Sequence, residues 1–543
     1  MTGRSPWWHD AVIYEVYVRS FADATGDGIG DLAGLRQRLD HLNDGTPRSL
    51  GVTALWLSPC YPSPQVDFGY DVSDYTSVDP VYGDLAELDA LVAELHARGV
   101  RVLVDLVMNH TSAAHPWFVQ SRADRTNPRR DWYVWADPAP GGGPPNNWLS
   151  AFERCGPAWT LDERTGQYYL HSFTPAQPDL NWRNPAVWAA MREVWRFWLD
   201  RGVDGFRVDV AHRMMKDPLL RDNPPEVAHA RRFYAHPTHR QRQLDLPEVH
   251  DVLRDLRRTL DSYGGSAGEG GSSGERIALG EVPIDDDERL ARYLRPDELH
   301  TAFHVALWDQ PWDAAAMRAT VDRLAGLLPP PARPVYALAT HDITRTVSRY
   351  GGGELGRRRA RVAAMLMFTL PGVPCVYYGE EIGMADAPPP AALASDVDGR
   401  DAVRTPMQWD ATGEGFSTAA PWLPVPPEAA SVNVADQDRD PGSLLALYRR
   451  LAWHRHGCAA LRGAVYRSLD APPGVFAYLR DRVLVALNFA GRAAQLSPAG
   501  LPPRGVVAVS TRPDRDGAPV GLRPLRLAPD EGVIIRFTGE EGA

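Results

Sequence analysis

The sequence predicts an α/β fold: a (β/α)8 TIM barrel, with a subdomain inserted after its third strand and a C-terminal antiparallel β-sandwich domain. Three observations carry this. Short β-branched or apolar runs alternate with longer amphipathic stretches, and a helix after each strand returns the chain so that the strands lie parallel. The 543 residues contain eight such units. Acids, histidines and arginines gather where the runs end, the position of chemistry in closed parallel barrels.

The elements follow in order. Residues 12–18 form the first strand, 53–57 the second and 100–106 the third, which is preceded by a helix over 85–98. The fourth strand, 205–210, follows a helix over 185–201 in which Trp188, Val194, Trp195 and Trp198 recur at helical spacing. Runs at 276–280, 299–304, 334–339 and 373–378 complete the set. The long apolar region 362–378 is broken by Pro371 and Pro374, so it reads as a buried helix and strand rather than a membrane span. Residues 109–176 are too many for a strand-to-helix loop and are rich in Trp, Pro and Gly, which indicates the inserted subdomain. Residues 262–275 are Gly/Ser-rich and read as a flexible surface loop. Beyond 460, runs such as 475–479 and 483–488 lie between Pro and Gly turns, the pattern of an all-β domain. The domain plan is therefore barrel 1–108, subdomain 109–176, barrel 177–460 and C-terminal domain 461–543.

Composition narrows the function. With 44% hydrophobic and 23% charged residues the chain can bury a large core, and a net charge of −11 disfavours a nucleic-acid partner. Cys60, Cys155, Cys375 and Cys458 are scattered and form no CxxC pair, which argues against a zinc site and a disulfide framework. The first residues lack the apolar stretch of a signal peptide, so the expectation is a cytoplasmic protein with no membrane partner.

The strand ends carry the chemistry. The third ends in Asp105-Leu106-Val107-Met108-Asn109-His110, the fourth in Gly205-Phe206-Arg207-Val208-Asp209, the fifth in Gly280-Glu281 and the seventh in Thr340-His341-Asp342. Taken singly, Asp209 could be an ion-pair partner of Arg207 or a helix cap, and His341 a packing residue. Several acids on successive strand ends are harder to reconcile with stability alone, because each buried charge is costly unless paired or functional. Glycoside hydrolysis needs two carboxylates beside the scissile bond, and a third can stabilise the cationic transition state. Arg207 lies two residues before Asp209, so on a strand both face one way and the guanidinium is expected to hold Asp209 ionised. Glu281 follows an apolar strand, where partial burial is expected to raise its pKa.

These segments resemble the signature regions of the α-amylase superfamily (glycoside hydrolase family 13), in its α-glucosidase and oligo-1,6-glucosidase branch. Gly51-Val52-Thr53-Ala54-Leu55-Trp56-Leu57-Ser58-Pro59, Gln177-Pro178-Asp179-Leu180-Asn181-Trp182, Gly372-Val373-Pro374-Cys375-Val376-Tyr377-Tyr378-Gly379-Glu380-Glu381 and Arg404-Thr405-Pro406-Met407-Gln408-Trp409-Asp410 are similar to further motifs of that branch. The resemblance covers residues 6–455. It implies Asp209 as nucleophile, Glu281 as acid/base and Asp342 as transition-state stabiliser. It implies that Arg207, His110, His341 and Gln177 line the glucose subsite, that Tyr70 stacks on the sugar, and that Asp67 pairs with Arg400 to close the pocket. Small α-glucosides are the implied substrates, with no organic cofactor. Asp23-Ala24-Thr25-Gly26-Asp27-Gly28-Ile29-Gly30-Asp31 resembles a calcium loop, with Asp23, Thr25, Asp27, Asp31 and the Ile29 carbonyl as ligands for a structural Ca2+.

The chain departs from the family at Thr340, where Asn is usual. Val210, after the nucleophile, is similar to members favouring α-1,6 links, while Val210-Ala211-His212 also resembles actinobacterial-type α-1,4-glucosidases. Pro144-Pro145-Asn146-Asn147-Trp148 resembles the latter group and favours α-1,4 disaccharides and short maltooligosaccharides. Two other readings are a transglucosylase or sugar isomerase on the same scaffold, and a non-catalytic barrel, which would be expected to lack one of the three acids.

Overall fold

The computed structural model describes residues 6–227, 241–264, 274–284, 286–328 and 331–538. Eight parallel strands form its centre: β1 (Ile13–Val16), β2 (Ala54–Leu57), β3 (Arg101–Leu106), β4 (Gly205–Val208), β5 (Ile277–Gly280), β6 (Thr301–Ala302), β7 (Val335–Ala337) and β8 (Val373–Tyr377). Their order is β7-β8-β1-β2-β3-β4-β5-β6, and a parallel bridge between Phe303 and Val335 closes the ring. The expected (β/α)8 barrel is thus present.

Its strands are shorter than the apolar runs suggest. The run 299–304 contributes only two residues to β6, because the chain turns into a single helical turn, Val305–Leu307, directly after His304. The run 12–18 ends at Val16 for the same reason, with a turn over Val18–Ser20. The run 205–210 ends at Val208, and Val210 takes a φ of 35°. The apolar region 362–378 is a buried helix, Gly353–Thr369, followed by β8. No described helix is long and apolar enough to cross a membrane.

Side-chain alternation explains why chemistry sits at one end of the barrel. On each strand every second residue faces the axis. Ile13, Trp56, Leu103, Ile277, Leu279 and Phe303 pack together inside. The next positions on that face are polar: Glu15 after Ile13, Asp105 after Leu103, and Glu281 after Leu279. β4 continues the pattern with Gly205, Arg207 and Asp209. Gly205 is required at its place: its φ is 150°, and a Cβ there would lie 2.1 Å from the Ile277 carbonyl oxygen on β5. The helices are set by local signals. Asp84 and Glu87 form a reciprocal capping box at the start of Leu85–Ala97, and Asn184 caps Pro185–Asp200.

Between β3 and β4 lies a small three-stranded antiparallel sheet of Trp135–Ala136, Gln167–Leu170 and Trp159–Asp162. Its way in and way out are paired. His110 bridges Asp179, Tyr133 bridges Leu180, and the Leu180 amide donates to the Asn109 carbonyl at 2.9 Å. This closure brings Gln177 beside His110. At the C-terminal end a six-stranded antiparallel sheet runs from Arg467–Leu469 to Pro519–Gly521, with a separate pair, Ala494–Leu496 and Leu525–Leu527. It has its own apolar core, including Ala477, Ala486, Val507, Val533 and Ile535. The Gly/Ser-rich loop read at 262–275 lies, over 265–273, outside the described residues.

Candidate active site

Arg207 is the centre of the polar cluster at the top of the barrel. Its guanidinium is 2% exposed and bonds three carboxylates: Asp209 Oδ1 at 2.7 Å, Asp105 Oδ1 at 2.8 Å and Glu281 Oε2 at 2.5 Å. The Val210 amide, turned by the strained φ of a β-branched residue, donates to Glu281 Oε2 at 3.2 Å. Asp105 also accepts from Trp56 Nε1 at 2.9 Å and from the Tyr70 hydroxyl at 3.0 Å.

This sharing corrects the expectation that Arg207 holds Asp209 ionised. Burial pushes Asp209 well above the usual carboxylate range; Arg207 opposes that, but Glu281, Asp105 and Asp342 add to it. Arg207 does not act for Asp209 alone, because one positive charge serves three buried acids. Burial likewise raises Asp105 to about 6 against the pull of Arg207. Glu281 does not sit in a purely apolar surround either, since its carboxylate meets Arg207 and the Val210 amide.

Asp342 is held differently. Its Oδ1 meets Arg400 at 3.0 Å and Arg404 at 2.9 Å, and its Oδ2 lies 3.3 Å from His341 Nε2. Burial works against its charge, yet His341, Arg400 and Arg404 together keep the carboxyl well below its usual range. Thr340, the departure from the family pattern, accepts the Asp342 amide on its hydroxyl at 3.2 Å and so steadies this turn.

The remaining residues form one wall. Arg400 bonds Asp67 at 2.5 Å, and Gln177 donates to the other oxygen of Asp67 at 2.8 Å. Gln177 Nε2 is 3.1 Å from His110 Nε2, which also lies 3.1 Å from the Tyr70 carbonyl. Tyr70 stacks on His341 with centroids 5.3 Å apart and planes 8° apart. Burial lowers the pKa of His110, and that of His341 to about 3, so both rings are neutral. Phe152 covers Arg400, whose guanidinium sits 4.8 Å from the ring centroid. Asp67, Tyr70, His110, Gln177, Arg207, Asp209, Glu281, His341, Asp342 and Arg400 are thus joined through direct contacts.

The sequence motifs assign no role to several members of this cluster. Asp396 bonds Arg400 at 2.7 Å and Arg404 at 3.3 Å. Lys216, buried, bonds Asp179 at 3.0 Å and Asn109 at 2.7 Å behind His110. Asp105 and Arg404 stand inside the strand-end and branch motifs, so position alone could flag them. Asp396 and Lys216 carry no comparable signal.

The proposed calcium loop is closed on itself. Asp23 accepts from the Gly26 and Gly28 amides and from Ser417, Asp27 accepts from the Ile29 amide at 2.8 Å, and Asp31 accepts from Ala24 and Thr25 while capping the next helix through Gly34. Thr25 donates its hydroxyl to Asp23 at 3.1 Å. The donors are hard oxygens, the right kind for calcium. Among the described residues no group of three or more His, Cys, Asp or Glu is gathered as a metal site, a count that leaves out the Thr25 hydroxyl and the Ile29 carbonyl.

Comparison with known proteins matches residues 15–463 to the alpha-amylase catalytic domain. The chain is 40% identical over 517 residues to a probable alpha-glucosidase of Rhizobium meliloti, covering 90% of each. It is 36% identical to an oligo-1,6-glucosidase of Parageobacillus thermoglucosidasius, covering 89% of this chain and 90% of that protein. Among solved structures it resembles an alpha-glucosyl transfer enzyme, with a TM-score of 0.87 and 38% identity over 98% of this chain and 99% of the other. It also resembles the trehalulose synthase of Pseudomonas mesoacidophila, with a TM-score of 0.88 and 32% identity over 98% and 100%.

Proposed function

The chain belongs to the α-amylase family, and from that premise we propose that it is a retaining α-glucosidase releasing terminal α-linked glucose from maltose-like disaccharides and short oligosaccharides. The observation that carries the mechanism is the shared guanidinium. Two carboxylates on adjacent terminal nitrogens of one fork lie close together. Retention needs a separation of about 5–5.5 Å, whereas inversion needs about 6.5–9.5 Å to admit a water. Asp209 attacks the anomeric carbon while Glu281 protonates the leaving oxygen. Glu281 then takes a proton from water, which opens the glucosyl-Asp209 ester on the same face. Asp342, kept ionised by its two arginines, faces the positive charge that develops on the sugar ring. NMR of the first sugar formed from maltose tests this: α-glucose is expected, and initial β-glucose overturns the mechanism.

Action from the non-reducing end rests on the Asp67–Arg400 pair beside Gln177, which closes the pocket behind one glucose. Arg400→Ala removes bonds to Asp67, Asp342 and Asp396. It is expected to raise KM for maltose by about 10–100-fold through lost charge-assisted bonds, with the fold retained by circular dichroism. Cleavage of internal starch bonds by the wild type as fast as maltose contradicts the pocket reading.

A structural calcium at Asp23, Thr25, Asp27, Ile29 and Asp31 is a separate proposal, supported by the spacing of oxygen donors along the loop. Millimolar calcium is expected to raise Tm by several degrees over protein in chelator; an unchanged Tm in both buffers ends this idea.

A second reading, glucosyl transfer to a sugar acceptor, is favoured by one observation: solved proteins named for transfer and for trehalulose synthesis share the architecture over nearly the whole chain. Product analysis with maltose and with sucrose separates hydrolysis from transfer.

A further inference from the structure

Neither catalytic step uses Glu15, although it is fully buried at the top of β1. Its Oε1 stands 2.6 Å from Nδ1 of His341 and 3.3 Å from the His341 amide, while its Oε2 has no hydrogen-bond partner among the described residues. On the opposite edge of the ring, Nε2 lies 3.3 Å from Asp342 Oδ2. The imidazole is clamped between Tyr70, at 5.3 Å and 8°, and Tyr17, at 6.0 Å and 16°. It cannot turn to seek other partners: Nδ1 is bonded to Glu15, while Nε2 faces the Asp342 carboxylate without a hydrogen-bond partner among the described residues.

A neutral imidazole has one N–H and one lone pair. With the N–H on Nδ1 and Glu15 ionised, the bare Nε2 lone pair would face the anionic Asp342. A buried carboxylate would also be left with one oxygen unsolvated, which is costly. A proton on Glu15 removes both conflicts. The acid donates to Nδ1, the ring N–H lies on Nε2, and the orphaned Oε2 is then a carbonyl oxygen rather than part of an anion. We propose that Glu15 is a protonated positioning residue that fixes His341 as its Nε2–H tautomer, so that the ring presents a donor to Asp342 and to a sugar hydroxyl. The donation to a sugar hydroxyl rests on the reading of the pocket as a glucose subsite; the tautomer itself does not. The electrostatics agree: burial raises Glu15 well above the carboxylate range against the pull of Arg207, with Asp342 and Asp105 adding to the rise, and burial lowers His341 to about 3.

The test is long-range proton–nitrogen NMR of the full chain labelled with 15N-histidine, with His341 assigned by the loss of its signals in His341→Gln. The free enzyme at neutral pH is expected to show a protonated Nε2 and a bare Nδ1. Glu15→Gln, which keeps an N–H donor in the same place, is expected to preserve that pattern. Glu15→Leu, which removes the donor and stays apolar, is expected to lose it and to lower kcat/KM for maltose at least about tenfold, with Glu15→Gln recovering most of the loss. A wild-type spectrum with the proton on Nδ1 and a bare Nε2 overturns the proposal. Protonation of both nitrogens overturns it equally, because the shared proton would then belong to the ring. If Glu15→Leu does not fold, the wild-type spectrum alone decides. A pocket that binds no glucose would leave these spectra unchanged, so failure of the subsite reading is told apart from failure of this one.

Discussion

Replacing Asp209 with Asn is expected to lower kcat on maltose by at least about 10,000-fold, the scale of loss when a covalent catalyst's acting group is removed. The amide is nearly isosteric but cannot attack an anomeric carbon. The fold should survive, since Arg207 keeps its bonds to Asp105 and Glu281. Glucose release measures the rate, and thermal unfolding checks that the protein is intact. A smaller variant gives a stereochemical signature. In Asp209→Ala, azide can enter the space left by the carboxylate, on the face opposite the leaving group, and an activated aryl α-glucoside should yield β-glucosyl azide. Residual activity in Asp209→Asn within tenfold of the wild type would falsify the assignment of the nucleophile.

Replacing Glu281 with Gln should produce a loss that depends on the leaving group. General acid catalysis contributes about 100–10,000-fold. Maltose, whose departing sugar alkoxide needs the proton, is expected to lose activity across that range. The first step with an aryl α-glucoside is expected to slow far less, because a phenolate leaves without help. The second step then becomes limiting, since no base activates water. Azide, which needs no base, should accelerate it and give α-glucosyl azide. Equal losses on maltose and on the aryl glucoside, with no azide effect, are the outcome that rules out Glu281 as acid/base. The contrast with Asp209→Ala is informative: one variant should give the β-azide and the other the α-azide.

The barrel is legible in the sequence because its signals are local. Strand and helix periods can be read in windows of several residues, as with Leu85–Ala97 and its Asp84–Glu87 capping box. The residue-by-residue alternation of β4 alone places Arg207 and Asp209 on one face, and their contact at 2.7 Å follows from it. Strand lengths are less legible. Apolar runs extend past the last ladder bond wherever the chain bends into a turn, as after Val16 and His304. Subdomain closure is not legible at all, because the pairing of His110 with Asp179 joins segments that no local window contains.

The sequence by itself determined the fold class and which acids end the strands, because both depend on short-range periodicity and on motifs contiguous in the chain. Tertiary structure decided what those acids experience. Arg207 reaches Asp105 across 102 residues and Glu281 across 74, so its charge is divided among three carboxylates rather than reserved for Asp209. Glu15 stands against His341 across 326 residues, with nothing near it in the chain to mark the contact. Coulomb interaction and desolvation depend on distance in space and on burial. The charge state of the site is therefore set only once the barrel has closed.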